Sequence, residues 1–123
     1  MYAAQLVEVE ASPGTVELFG EWEDRKRTSF LLSIEVVEAS TDVDVEVEIF
    51  SKNREDPGDG TKAAGSPTVL QEDPGVSDPA NGNYSANLKE LVRSKLIVSN
   101  SGGSRGFAIV RMLPKVWYDA VKA

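Results

Sequence analysis

The chain has 123 residues, of which 41% are hydrophobic and 27% charged, the profile of one globular domain with too little length for two independent cores. It contains no cysteine and no histidine, which excludes disulfides, thiolate nucleophiles, the usual zinc ligands and a Ser-His-Asp type of triad. Twenty acidic against thirteen basic residues give a net charge of -7, which repels nucleic acid and anionic membrane and predicts neither as a partner.

In chain order, Gln5 to Glu10 and Thr15 to Phe19 read as short strands separated by Ser12-Pro13-Gly14, whose proline and glycine suit a turn. Thr28 to Glu38 places Phe30, Leu32, Ile34 and Val36 on one face and Leu31 and Val37 on the other, enough apolar character for a strand covered on both sides. Val43 to Ile49 alternates strictly, with Val43, Val45, Val47 and Ile49 on one face and acids on the other. Ala39 to Asp42 between them has turn composition, so the pattern predicts an antiparallel hairpin over about 28–50. From Ser51 to Asn83 the chain holds four of its six prolines and five glycines, a long surface excursion with one apolar island, Thr68-Val69-Leu70, that predicts a strand near 67–71.

Asn83 to Leu88 reads as a further short strand. Leu91 to Val98 turns Val92, Leu96 and Val98 inward around Ser94, with Arg93, Lys95 and Ile97 opposite. The turn Asn100-Ser101-Gly102-Gly103 leads into Gly106 to Leu113, with Phe107 and Ile109 taken as inward, which predicts a second hairpin. Val116-Trp117-Tyr118 reads equally as a strand or a short helical turn. Seven to nine short strands without an amphipathic helix indicate a single all-β domain over 1–123: an antiparallel two-sheet β-sandwich, jelly-roll-like, with a long Pro/Gly-rich loop at about 51–83.

Candidate chemistry is sparse. The ladder Asp42, Asp44, Glu46, Glu48 spaces carboxylates about 7 Å apart, suited to cations or a basic partner, although charged outer faces are ordinary on such strands. Glu55 to Gly60 packs three carboxylates and two glycines into one loop, without the ligand spacing of an EF-hand, so a hairpin tip is the simpler account of it than calcium. Ser101 to Gly106 lacks the Gly-Lys-Ser/Thr of a phosphate loop and reads as a β-turn. No pair of carboxylates stands out for glycoside hydrolysis. The expectation is a protein that is not an enzyme, with no cofactor and no bound metal. Candidate contact residues are the aromatics Trp22, Tyr84, Trp117 and Tyr118, the cations Arg25 and Arg27 beside Trp22, and Asp56 and Asp59 of the acidic loop.

Gly20-Glu21-Trp22, then Phe30 to Val36 and Val43 to Phe50, then Leu91 to Val98, a Gly-rich turn and Phe107 to Val110 form an order that resembles small β-sandwich structural proteins of tailed bacteriophages. The resemblance covers about residues 20–112. It implies a virion component, made in the host cytoplasm without a secretion signal, of the capsid decoration or cement type. The major capsid protein would be its partner, with a homo-oligomer on the capsid surface. The departures from that pattern are the long Pro/Gly excursion and the acidic N-terminal half, where residues 1–60 carry fifteen acids and five bases. A carbohydrate-binding module using Trp22 or Trp117, or a tail or baseplate subunit, are the alternatives.

Overall fold

The computed structural model describes residues 4–62, 68–69, 80–84 and 88–119. Of the excursion, residues 63–67 and 70–79 lie outside the described residues.

Two antiparallel sheets face each other across one core. Sheet A contains β1 (Gln5–Val9), β10 (Gly106–Met112), β4 (Ser29–Ala39), β11 (Val116–Tyr118) and β8 (Ala80–Tyr84); sheet B contains β2 (Gly14–Phe19), β3 (Glu23–Asp24), β9 (Leu91–Asn100), β5 (Val43–Lys52), β6 (Thr61–Lys62) and β7 (Thr68–Val69). Several of these are halves of one interrupted strand. β2 and β3 both run along β9, β6 and β7 both run along β5, and β11 continues β10 along β4. Counted that way, sheet A runs first, eighth, third, sixth and sheet B second, seventh, fourth, fifth. This is the strand order of a jelly roll.

That order corrects both expected hairpins. β4 pairs with β10, β8 and β11, whereas β5 pairs with β9, β6 and β7, so the turn after Ala39 carries the chain from one sheet to the other. The same holds for β9 and β10. The physical reason is that both members of each pair own one strongly apolar face, and two such faces are buried best by opposing each other across the core. Three residues extend about 10 Å, which is the distance between packed sheets. A crossing of that length has the same polar composition as a hairpin turn.

The core contains Val7, Val9, Phe30, Leu32, Ile34, Val36, Val45, Val47, Ile49, Val92, Leu96 and Val98, the alternate positions of their strands. β10 departs from expectation. Gly106, Ala108 and Val110 point inward, and Phe107 and Ile109 are turned to the outer face and only half-buried. The segment is apolar on both faces, so period two fixes the alternation without its phase. Of the short strand expected at 83–88, residues 85–87 lie outside the described residues; β8, Ala80–Tyr84, pairs with β4 up to Tyr84 opposite Phe30. The strand reading of Val116–Tyr118 is the observed one, with Trp117 opposite Phe30.

One end of the sandwich is tied by the buried Asn100. Its Nδ2 donates to the carbonyls of Glu10 (3.1 Å) and Ser104 (2.8 Å), and its Oδ1 accepts from the Gly102 amide (2.9 Å). Near the C-terminus, Asp119 accepts from the Thr28 amide and the Arg27 guanidinium, each at 3.2 Å. The Thr28 bond first, and Arg27 second, hold its carboxyl below the ordinary 3.8. A carboxylate with a depressed folded value stabilises the fold above its unfolded pKa, and that contribution is lost as pH falls through the folded value. An NMR titration should therefore give Asp119 a midpoint below 3.8. Arg27→Ala should return it only part of the way, because the Thr28 bond remains.

Candidate functional site

The outer face of sheet B, where a sandwich normally shows only solvated polar groups, carries an aromatic and cationic cluster. Alternation along β9 turns Arg93 and Lys95 outward, and the register sets Phe19 of β2 opposite Lys95 and Phe50 of β5 opposite Arg93. After Phe19 the chain bends at Gly20, whose amide donates to the Ser94 carbonyl at 2.8 Å. This brings Trp22 back over β9.

The Arg93 guanidinium lies over the rings of Phe19 (4.3 Å to centroid) and Trp22 (4.7 Å). Lys52 lies over Trp22 at 4.7 Å, and Lys95 over Phe19 at 5.4 Å and Phe50 at 5.9 Å. The two phenylalanine rings stand 6.5 Å apart. Although they point away from the core, the side chains of Arg93 and Lys95 are only 14% and 16% exposed. Their stems and charges are wrapped by rings, an arrangement worth about 0.5–2 kcal/mol per cation–π contact according to desolvation.

The acidic loop folds back onto this cluster. Asp59 pairs with Arg93, and Lys52 Nζ donates to the Gly58 carbonyl at 2.8 Å. Gly60 permits the return: its φ of 72° is left-handed, and a Cβ there would sit 2.4 Å from the Ser51 carbonyl oxygen. Glu17 holds Lys95 at 3.0 Å. The acidic ladder continues the same face, with Asp44, Glu46 and Glu48 half-buried opposite Ser99, Ile97 and Lys95.

Of the residues singled out from the sequence, Trp22 and Asp59 meet in this cluster. Asp56 stays within the loop, accepting from the Asn53 amide at 2.9 Å. Arg25 donates to the Leu88 carbonyl at 2.7 Å and fastens the elbow after β3 to the start of β9, while Arg27 holds Asp119. Tyr84 has to be corrected as a contact candidate. It is buried and stacks on Phe30 at 5.2 Å, so its ring belongs to the packing of sheet A. Trp117 packs on the other side of Phe30 at 5.0 Å, and Tyr118 is half-buried opposite Ser29. Phe19, Phe50, Lys52, Arg93 and Lys95, which complete the cluster, are not among the residues singled out from the sequence. The available signal was the outward phase of Arg93 and Lys95 on β9.

Beside the cluster, between the Gly20 bend and β10, opens a cavity of ≈ 220 Å³ lined by Leu18, Phe19, Leu96, Val110 and Met112, with Gln5 and Ser94 as its polar groups. The Ser94 hydroxyl points at the Met112 sulfur, 3.7 Å away. This lining offers no paired acid and base for proton transfer. Comparison with known proteins found no matching family model, no matching curated protein and no matching solved structure.

Proposed function

We propose that this protein is a non-enzymatic virion subunit of the capsid decoration or cement type, docking on the major capsid protein through the outer face of sheet B. The observation that carries the reading is the Trp22, Phe19 and Phe50 cluster with its ring-wrapped Arg93 and Lys95. It is a prearranged surface rather than a cleft. Aromatic and arginine side chains dominate contact energies because they desolvate large area at little entropic cost. Two rigid sheets supply a platform that does not have to be ordered on binding, so less of the contact energy is lost to entropy. The resemblance of the strand order to phage structural modules supplies the partner class, since a jelly roll by itself specifies no function. For a carbohydrate-binding module Trp22 would be the stacking platform. Lys52 and Arg93 already stack over that ring, which disfavours the sugar reading.

The test is direct. Mass spectrometry of purified virions of the encoding phage should detect the chain, and imaging should place it on the outside of the head. Trp22→Ala and Arg93→Ala should each weaken attachment to particles lacking the protein about tenfold, while the purified variants keep a cooperative unfolding transition. Absence of the chain from virions, or unchanged attachment of both variants, would sink the reading. Micromolar binding of a glycan through Trp22 would replace it with the carbohydrate alternative.

A further inference from the structure

The outer face of sheet A is apolar in a way that the core does not explain. Leu6 on β1 stands directly opposite Ile109 on β10, and Ile109 stands opposite the β4 bulge that contains Val37 and Glu38. The register passes from Ile109–Glu38 to Val110–Val36, so Val37 has no partner across the ladder and is pushed outward. Leu6 is 57% exposed and Val37 43%, with Phe107 and Ile109 half-buried between and beside them. Among the described residues nothing covers this stripe, which crosses three adjacent strands.

We infer that this face docks a second copy of the same chain about a two-fold axis passing close to Ile109. Shape supports a twofold. On the β1 side of Ile109 lies a hollow of ≈ 360 Å³ lined by Leu6, Glu8, Arg105, Gly106 and Phe107, and on the β4 side stands Val37. A two-fold axis between them sets the projecting Val37 of each copy over the hollow of the other, the reciprocal contact that an isologous interface requires.

Charge supports the same occupant. A chain of net charge -7 repels its own copies at most approaches. On this face Arg105 is shared by Glu8 at 2.9 Å and Glu10 at 3.9 Å, and Arg111 pairs with Glu35. The exposed Glu38 beside Val37 travels with it across the axis and meets Arg105 of the other copy. An unlike pair then forms twice.

The inference does not rest on the capsid reading, which uses the opposite sheet, and it is tested on purified full-length protein without particles. Sedimentation velocity over a concentration series should show a monomer–dimer equilibrium. Leu6→Glu and Ile109→Glu should each raise the dimer dissociation constant at least about tenfold. Both residues are on the surface, and circular dichroism confirms that the variants stay folded. Glu38→Arg and Arg105→Glu should each weaken the dimer, and the double variant should recover it, because the swapped charges meet again only across the twofold. A protein that stays monomeric to about millimolar concentration, a dimer untouched by Leu6→Glu and Ile109→Glu, or a double charge swap no tighter than its single variants would overturn the inference.

Discussion

Phe30→Ala is expected to cost about 3–5 kcal/mol of folding free energy, the range for removing a fully buried aromatic side chain. Phe30 sits in the central strand of sheet A, completely buried, with β8 on one edge and β11 on the other. Its ring is stacked on Tyr84 at 5.2 Å and tilted against Trp117 at 5.0 Å. Both neighbours are fixed by their own backbone ladders to β4. Truncation therefore leaves a cavity whose walls cannot close, and the penalty includes lost contacts as well as lost transfer energy. Small domains have only about 5–15 kcal/mol in total, so the urea midpoint should fall by a large fraction of its value with the slope unchanged. A loss below about 1.5 kcal/mol would mean that the trio does not close the core.

Asn100→Ala should cost about 2–4 kcal/mol despite removing only a short polar side chain. The amide uses both of its hydrogens and its oxygen, and each bond goes to backbone of a different turn residue. The Gly102 carbonyl in turn accepts from the Ser12 amide at 2.8 Å, so the turns after β1 and β9 are joined through this one residue. Alanine removes three hydrogen bonds at once, to the carbonyls of Glu10 and Ser104 and from the amide of Gly102, each contributing about 0.5–1.5 kcal/mol net. Asn100→Asp should be no better, since it would set a carboxylate against two carbonyl oxygens. Hydrogen exchange at the Ser12 and Gly102 amides should quicken in both variants before global unfolding does. Unchanged protection at these amides would show that the turns are held by other means.

Strand existence was readable from the chain because alternation is a local property: Val43, Val45, Val47 and Ile49, or Val92, Leu96 and Val98, state by their spacing which face leaves water. The all-β sandwich follows from several such segments and no helical period. Two things were not readable. A segment apolar on both faces, such as Phe107 to Val110, has a period but no phase, and its phase was decided by Ala108 and Val110 closing on the opposite sheet. That decision turned Phe107 and Ile109 outward and created the apolar face of sheet A. Pairing partners were the second, because the residues after Ala39 and after Asn100 suit a tight turn and a sheet-to-sheet crossing alike.

The candidate site divides the same way. Trp22 in its polar setting could be singled out along the chain, but Lys52 and Arg93, which stack on its ring, come from strands 30 and 71 positions further on. Local period decides whether a residue is in a strand and which neighbours share its face. Which strands lie side by side is decided by the burial of whole faces against one another, a long-range term that no window of sequence contains.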